Sequence, residues 1–348
     1  MKAFRPAVLV LCLLLSLTAA SAAAKVNIYF IPKQAGSALG AAAGEGAQAC
    51  AEANGFRVTV EAPAEATVKA QIAAVRAAVN NGADALCIDP VDAGGLAGAL
   101  KDAEEGGLVV TAWESAAAEA GCLSVCPGAP EEMGGMLVSM LAASLEERGK
   151  DPAADEIRYC WHCGLEGDNA ERAWSAAGEA VIAAQYPNWI NVAPDHYYSK
   201  ADAKKAVSTG MAILAAHPDI DGILCCDDVA LHGQAQALLK LGKTWQDVAV
   251  TGLATPGVMK PYLESGAVKR FGLWDCRLQG ALACALTFSL VMGEEIREGD
   301  FLEIDGLGSF EVQSAQAADA AGEEDGVPVV LLPERIVFTA DNIDQYDF

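Results

Sequence analysis

Polar and aromatic side chains stand directly after the apolar runs of this chain, and carboxylates predominate among them. Ionised carboxylates accept hydrogen bonds from hydroxyl groups that are shorter and stronger than neutral ones. A lysine supplies three donors, and tryptophan rings offer apolar faces to C–H surfaces. These side-chain types together suit a polyol or a sugar. The candidate ligand-binding residues are Lys33, Asp89, Trp113, Glu114, Asp168, Asn169, Cys226, Asp228 and Asp275.

Most of these residues also have a purely structural interpretation. Aspartate and asparagine at the start of a helical segment commonly cap it. A lysine after a buried strand could lie on the surface, and a strand-end tryptophan could belong to the core. The positions open to such an alternative are Asp168, Asn169, Asp227, Asp228, Lys33, Trp113 and Trp274. Their joint placement at strand ends favours a site more than any one of them does.

The elements that must position these residues follow a regular alternation. Apolar, strand-like runs cover residues 26–31, 58–60, 85–88, 108–112, 157–161, 220–226, 248–253 and 271–274. Segments with helical apolar spacing cover residues 66–79, 96–103, 133–145, 173–184, 203–215 and 229–241. Continuous apolar strands alternating with amphipathic helices predict parallel sheets that are covered on both faces. Ligands of such sheets bind beyond the carboxyl ends of the strands.

The number of these units favours two sheets over one large sheet. Four or five βα units precede about residue 125, and about four more lie between residues 155 and 252. We therefore predict an α/β protein with two Rossmann-like, doubly wound parallel-sheet lobes. After residue 300 the pattern changes to short strands around a turn, which we interpret as a decoration on the second lobe.

Residues 1–23 have the layout of a secretory signal peptide. Lys2 and Arg5 form a basic start, residues 8–17 are apolar, and small residues follow. The apolar run is shorter than the roughly 20 residues that span a bilayer. Leu11 precedes Cys12 where a lipidation signal has a small residue, so we expect cleavage after Ala22 or Ala23. The sequence thus predicts export to the periplasm or to the outer face of the cell membrane.

Charge and motifs exclude several function classes. The net charge of −24 would repel phosphate backbones and anionic lipids, so a nucleic acid is not an expected partner. The sequence has no Gly-x-Ser-x-Gly elbow, Gly-rich phosphate loop or His-Glu-x-x-His. We therefore expect no enzyme, no catalytic residue, no bound metal and no cofactor. Paired acids such as Glu114 and Asp168 leave glycoside hydrolysis as the rival enzymatic hypothesis.

The cysteines leave three alternatives open. Cys160 and Cys163 form a Cys-x-x-Cys pattern, and Cys225-Cys226 ends another strand-like run. Such a set could bind zinc, form a disulfide, or consist of small buried hydrophobic residues. Because Cys160 lies inside a strand rather than at a helix start, the pattern differs from thioredoxin-like motifs.

At several stretches the sequence resembles the type I periplasmic binding proteins, closest to the autoinducer-2-binding branch, with the rhamnose-binding branch next. The stretches are IPK at 31–33, DPVD at 89–92, APEEMGGMLV at 129–138, TPGVMKPYLESGAVKRFGLWD at 255–275 and LLPERIVFTADNIDQYDF at 331–348. The resemblance runs over essentially the whole chain after the signal peptide. It is more specific for the family than for the ligand.

The resemblance implies two lobes joined by a hinge that the chain crosses near residues 127, 253 and 297. The N-terminal lobe would hold residues 24–126 and 253–296, and the C-terminal lobe residues 127–252 and 297–348. It implies a monomeric solute-binding protein of an ABC uptake system, which binds autoinducer-2 or a related small cyclic polyol between its lobes and delivers it to a membrane permease. The alternative is a monosaccharide such as rhamnose, a pentose or a hexose, bound for import or for presentation to a chemoreceptor.

The resemblance also assigns residues, with four departures. Members of the branch hold autoinducer-2 with a lysine, two aspartates, a glutamine and backbone groups after a later strand; Lys33 matches the lysine and Asp168 the second aspartate. The departures are Glu114 for an aspartate, Asn169 for the glutamine, Cys226 for a proline and Asp228 for an alanine. A buried unpaired carboxylate is costly, so Asp228 either accepts an additional hydroxyl, as a pyranose would offer, or caps its helix.

Overall fold

The computed structural model describes residues 8–9, 26–117, 122–315 and 327–348. The chain divides into two units. Unit 1 comprises Met1–Pro127 and Asp275–Pro333, and unit 2 comprises Gly128–Trp274 and Glu334–Phe348. The chain therefore passes between the units three times. The predicted signal peptide lies outside the described residues apart from Val8–Leu9.

Unit 1 is built around one nine-stranded sheet. Its strands are Val8–Leu9 (β1), Asn27–Ile31 (β2), Arg57–Val60 (β3), Ala85–Ile88 (β4), Val109–Trp113 (β5), Ser124–Cys126 (β6), and, after unit 2, Phe301–Ile304 (β13), Gly308–Ala315 (β14) and Val327–Leu331 (β15). Its helices are Ala38–Asn54 (α1), Val68–Asn80 (α2), Ala93–Glu105 (α3) and Cys276–Val291 (α9). The strand order is β1-β13-β14-β15-β6-β5-β4-β2-β3.

The strand order places a topological switch point between β2 and β4. Strand β3 pairs with one edge of β2 and strand β4 with the other, all in parallel. The loops after β2 and β4 consequently turn to opposite faces of the sheet and leave a crevice at its carboxyl edge, where ligands of doubly wound sheets bind. Lys33 and Asp89 follow these two strands.

Alternating side chains of β2, β4 and β5 pack on helices at both faces of the sheet. Tyr29 and Ile88 belong to the core cluster formed with α2 and α3. On the other face, Thr111 of β5 shares a hydrogen bond of 2.6 Å with Thr287 of α9. Parallel strands covered on both faces are expected to be apolar throughout, which accounts for the uninterrupted hydrophobic runs of the sequence.

Helices α1 and α9 pack closely, and glycines make this approach possible. A Cβ atom on Gly46 would lie 1.9 Å from the carbonyl oxygen of Arg277, and one on Gly280 would lie 1.8 Å from that of Ala43. Both values are far below van der Waals contact, so each glycine is required by the backbone of the facing helix.

We expect Gly280→Ala to destabilise the protein by about 2–3 kcal/mol, because the added methyl group forces α1 and α9 apart. Gly98, in the middle of α3, has open space where a Cβ atom would stand, with no neighbouring atom within 4 Å. Gly98→Ala is therefore the matched control, expected to stabilise by about 1 kcal/mol through helix propensity alone. Urea denaturation of both variants measures the difference, and equal midpoints would contradict the glycine contact.

Unit 2 contains a second, smaller parallel sheet. Its strands are Ile157–Cys163 (β7), Trp189–Asn191 (β8), Tyr197–Tyr198 (β9), Gly222–Cys225 (β10) and Ala249–Gly252 (β11). A separate antiparallel pair is formed by Phe271–Leu273 (β12) and Ile336–Phe338 (β16). The helices of unit 2 are Pro130–Glu147 (α4), Asn169–Gln185 (α5), Ala203–Ala216 (α6), Asp228–Lys240 (α7) and Pro256–Glu264 (α8). The order β11-β10-β7-β8 places the switch point between β7 and β10.

Residues 253–274 belong to unit 2, which differs from the predicted N-terminal lobe. Leu253 forms an isolated parallel bridge with Gly272, and β12 pairs antiparallel with β16. These contacts tie β12 and β16 to unit 2 beside β11, and the chain leaves unit 2 after Trp274 rather than near residue 253. Strand β12 is only three residues long, and its sequence does not indicate to which unit it belongs.

Residues 297–333 belong to unit 1, whereas the sequence predicted a decoration on the second lobe. Strand β15 pairs in parallel with β6, and the backbone N–H of Leu332 donates to the carbonyl oxygen of Cys126 at 3.0 Å. Strands β13 and β14 join the same sheet through antiparallel pairing with one another and with β15. The first passage from unit 1 to unit 2 follows Pro127.

Within the described ranges, no helix combines the length and the apolar character needed to cross a membrane.

Candidate functional site

In unit 1 three candidate residues follow three neighbouring strands. Lys33 lies two residues beyond β2, Asp89 directly follows β4, and Glu114 directly follows β5. The strands are adjacent and parallel in the order β2, β4, β5. Their carboxyl ends therefore meet at one edge of the sheet, and the structure brings all three side chains together there.

The ammonium group of Lys33 lies between two carboxylates. Lys33 Nζ donates to Glu114 Oε2 and lies 3.3 Å from Asp89 Oδ1. It also contacts the hydroxyl of Ser115 at 3.4 Å, and that hydroxyl donates to Glu114 Oε2 at 2.9 Å. The four side chains form one polar group, here called the Lys33 cluster.

Burial and charge act in opposite directions on the carboxyl group of Glu114. Asp89 and Glu114 are 3% and 5% exposed. Burial alone raises the pKa of Glu114, but the charge of Lys33 and the hydrogen bonds from Asp89, Lys33 and Ser115 outweigh it, so the pKa lies below its ordinary value. Glu114 is therefore ionised at neutral pH and can accept further hydrogen bonds.

The backbone of Glu114 is in the left-handed region, with φ of 63°. Only glycine and, less often, asparagine or aspartate adopt this conformation at low cost, and it recurs at ligand-binding positions. The N–H of Glu114 donates to the carbonyl oxygen of Val125 at 2.9 Å, which continues the pairing of β5 with β6. The turn thus directs the carboxylate to Lys33 while the sheet hydrogen bond is kept.

Gln71 of α2 supports the cluster, although the sequence did not single it out. Its side chain is buried, donates to the carbonyl oxygen of Asp89 at 2.6 Å and accepts from the N–H of Val91 at 2.9 Å. These two bonds fix the loop that presents Asp89. The only sequence signal is a glutamine at an inward-facing position of an otherwise apolar helix face.

Trp113 lies in the core of unit 1. Its ring is fully buried and stacks on Phe30 with centroids 4.6 Å apart and planes inclined by 19°. Trp113 is therefore a core residue of unit 1, and its contact with a ligand stays a prediction.

We expect Lys33→Met to cost about 3 kcal/mol of unfolding free energy at pH 7, since it leaves two buried carboxylates without their cation. Glu114 has a lowered pKa in the folded state. Its stabilisation is therefore present above the unfolded pKa and is lost as the pH falls through the folded value. In the variant, burial acts on Glu114 without the charge of Lys33 and raises its pKa, so the folded variant takes up a proton between pH 7 and pH 4 that the parent protein does not. The cost of the substitution should therefore shrink over this range.

Urea denaturation at the two pH values measures this change. Lys69→Met removes an exposed lysine of α2 and is the matched control, expected to have little effect at either pH. A cost of Lys33→Met that is the same at pH 7 and pH 4 would contradict the role of the carboxylates.

In unit 2 the corresponding edge is formed by the ends of β7 and β10. Asp168 is buried and is the N-cap of α5, where Oδ1 accepts from the N–H groups of Ala170 at 2.9 Å and Glu171 at 3.2 Å. Asn169, half-buried, is the first residue of the same helix. The capping role of Asp168 is thus observed, and a contact with a ligand stays a prediction.

At the end of β10, the N-cap of α7 is Asp227, whose Oδ1 accepts from the N–H of Ala230 at 2.8 Å. Asp228 is the first helical residue and is half-buried. The positive end of the helix dipole favours a carboxylate in this turn, which lowers the cost of the charge. Asp227 rather than Asp228 is therefore the N-cap of α7. The acceptance of an additional hydroxyl stays a prediction for Asp228.

Glu171 is a second buried residue that the sequence did not single out. It lies three residues after Asp168, in the first turn of α5, and accepts from the N–H of Gly164 at 2.7 Å. An aspartate followed three residues later by a glutamate resembles a capping-box pattern, which was the available signal. The side chain instead reaches the loop after β7 and holds it against the helix.

The residues after β12 take structural positions. Trp274 is buried in unit 2 and meets Trp174 edge to face, with centroids 6.0 Å apart. Asp275 is exposed and is the N-cap of α9, where its carboxylate accepts from the N–H of Leu278 at 2.9 Å. The structure gives Asp275 this cap, and its predicted ligand contact remains a prediction.

Cys226, the last candidate, is buried at the end of β10, with its sulfur 3.1 Å from that of Cys163. The ten cysteines in the described part of the chain are all buried, and none of them is in a disulfide. The described residues also contain no group of histidine, cysteine or acidic side chains that could hold a metal ion. Of the three alternatives for the cysteines, buried thiols describe the structure.

These features agree with the comparisons to known proteins. Residues 28–295 match the family described as periplasmic binding protein domain, and the chain belongs to this family. The predicted family and the predicted α/β fold of parallel-sheet lobes are thereby confirmed.

Solved structures give the same result over nearly the whole chain. LsrB from Clostridium saccharobutylicum, solved in complex with AI-2, is 44% identical, covers 93% of this chain and 100% of its own, and superposes with a TM-score of 0.90. A solute-binding protein of an ABC transporter from Clostridium phytofermentas, with bound L-rhamnose, is 24% identical, with 92% and 98% coverage and a TM-score of 0.82. At that identity, the second likeness shows the fold.

A curated relative gives a shorter match. The D-ribose/D-allose-binding protein of Pseudomonas aeruginosa is 24% identical over 210 residues, or 59% of this chain. The matched part spans 62% of the length of that protein.

Proposed function

We propose that the protein is an exported solute-binding protein that binds autoinducer-2, using the Lys33 cluster of unit 1 together with the strand-end residues of unit 2. The observation that carries the proposal is the Lys33 cluster: a cation and two buried carboxylates at the switch point of a doubly wound sheet. The 44% identity to LsrB over 93% of the chain supports this ligand.

The chemistry of the cluster suits a small, neutral, hydroxyl-rich molecule. The carboxylates of Asp89 and Glu114 accept hydroxyl hydrogen bonds, and the ammonium group of Lys33 donates to ring or hydroxyl oxygens. Lys33 already neutralises part of the carboxylate charge, so a ligand needs no charge of its own. An anionic ligand would instead meet the carboxylate charge that Lys33 does not neutralise.

In unit 2 the proposed contacts are made by Asp168, Asn169 and Asp228. Their backbones begin α5 and α7, so the side chains are held by helix geometry rather than by long flexible loops. We propose that the molecule is bound and released chemically unchanged, that the binding protein is a monomer, and that a membrane permease receives the ligand. These parts of the proposal rest on the family and on the predicted signal peptide.

Autoinducer-2 should raise the melting temperature of refolded, ligand-stripped protein, because a ligand that binds only the folded state stabilises it by about 2.7 kcal/mol at one hundred times its Kd. Rhamnose, ribose, xylose and galactose are the comparison ligands. Lys33→Ala and Asp168→Ala should remove the shift, whereas Lys69→Ala, at an exposed position of α2, should keep it. A protein that shifts with none of these compounds would refute the proposal.

A monosaccharide is the second candidate ligand, and Asp228 is the observation that favours it. This carboxylate lies at the switch point of unit 2 and would accept one more hydroxyl, as a pyranose provides.

Asp228→Ala separates the two ligands. If autoinducer-2 is the ligand, calorimetry should show affinity kept or increased, since a carboxylate without a hydroxyl partner is removed. If a pyranose is the ligand, affinity for it should fall about tenfold or more, because a charged hydrogen bond is lost. Asp195→Ala, at an exposed position before β9, is the control for the change in net charge.

A further inference from the structure

Two cysteines of unit 2 face one another across neighbouring strands. Cys225 of β10 pairs in parallel register with His162 of β7, so the next residues, Cys226 and Cys163, lie side by side on the same face of the sheet. Their sulfur atoms are 3.1 Å apart. The two thiols are thus in contact without a covalent bond.

The backbone geometry suits a disulfide. Disulfides join cysteines whose Cα atoms are about 4.4–6.8 Å apart, with a sulfur–sulfur bond of about 2.05 Å. Neighbouring strands lie about 4.8 Å apart, inside that range. The sulfur atoms of Cys163 and Cys226 need to approach by only about 1 Å, which side-chain rotation supplies.

A cavity gives one of the two sulfurs a route to small molecules. Its volume is about 290 Å³, and its wall includes Cys163, Glu171, Arg172, Glu179, His196 and Tyr198. Arg172 of α5 is exposed, so this wall reaches the surface of unit 2. Water and hydrogen peroxide are both far smaller than the cavity.

His196 prepares Cys163 for reaction. Its backbone is in the left-handed region, with φ of 56°, and its side chain lines the same cavity as Cys163. The hydrogen bond from Cys226, with the hydrogen bond and charge of His196, outweighs burial and lowers the pKa of Cys163 to about 7. Burial raises the pKa of Cys226 well above its ordinary value, so Cys226 remains a thiol.

We propose that Cys163 and Cys226 form a hydroperoxide-reactive thiol pair, a modification site in which Cys163 is oxidised first and Cys226 resolves it to a disulfide. The Cys163 thiolate attacks one oxygen of hydrogen peroxide, the O–O bond breaks, and the leaving hydroxide takes a proton to give water. The Cys226 sulfur then attacks the sulfenic sulfur of Cys163. The S–S bond forms, the S–O bond breaks, and a second water leaves, so two thiols and one peroxide give one disulfide and two waters.

A second cysteine pair, in unit 1, can be compared with the Cys163–Cys226 pair. Cys87 of β4 and Cys284 of α9 are a second interacting pair, in which Cys284 lowers the pKa of Cys87, and both are fully buried. If contact between thiols were sufficient, both pairs would oxidise. Because access and a neighbouring histidine are also needed, we expect only the Cys163–Cys226 pair to react in the folded protein.

The test treats the intact, reduced protein with hydrogen peroxide, blocks the remaining thiols, and maps disulfides by peptide mass spectrometry. A Cys163–Cys226 bridge, with Cys87 and Cys284 still reduced, is the expected result. In Cys226→Ser, dimedone should label Cys163 as a trapped sulfenic acid. A folded protein in which Cys163 stays reduced, or in which all thiols react together, would overturn the proposal.

His196→Gln tests the positioning role of the imidazole. Because His196 adds to the effect of Cys226 in lowering the pKa of Cys163, its loss should reduce the thiolate at pH 7 and slow the peroxide reaction by about three- to tenfold. His217→Gln is the matched control, since His217 contacts the hydroxyl of Tyr197 at 2.9 Å instead. Equal reaction rates for the two variants, with equal melting temperatures, would show that His196 does not activate the pair.

Discussion

Two acidic side chains are held out of water at the same sheet edge, and the ammonium group of Lys33 contacts both Asp89 and Glu114 and helps to keep the pKa of Glu114 below its ordinary value. Loss of hydration is offset only when the cation is close and the remaining hydrogen bonds are made. The register of β2, β4 and β5, the left-handed turn at Glu114 and the hydrogen bonds of Gln71 all serve this one arrangement. Binding of a polyol would replace water at acidic groups whose charge Lys33 already neutralises in part.

Unit 2 stabilises its acidic side chains in another way. Asp168 and Asp227 accept backbone N–H groups at the starts of α5 and α7, and Glu171 accepts the N–H of Gly164. Backbone amides and helix dipoles thus stabilise the carboxylates of unit 2, whereas a lysine stabilises those of unit 1. Neutral hydroxyl groups are compatible with both kinds of site, whereas an anionic ligand would meet carboxylates in each.

Much of the fold and half of the site could be predicted from the sequence, because apolar runs locate strand ends. Lys33, Asp89 and Glu114 were found in this way, since parallel strands bring their carboxyl ends to one edge. Gln71 and Glu171 were missed because their roles depend on which loop lies opposite the helix. Strands β13, β14 and β15 were assigned to the second lobe, whereas they lie in unit 1, since pairing of β15 with β6 joins segments about 200 residues apart and leaves no local pattern.

The packing of α1 on α9 has a consequence for the order in which the protein can fold. The glycine contacts of Gly46 and Gly280 join the first helix of unit 1 to a helix made only after all of Gly128–Trp274. Strand β15 must arrive later still to complete the sheet. During synthesis the central segment can form its own sheet before unit 1 is complete. Contacts between residues far apart in sequence, such as those of α1 with α9, slow folding. A chain that completes its first unit last therefore stays longer in an incompletely folded form.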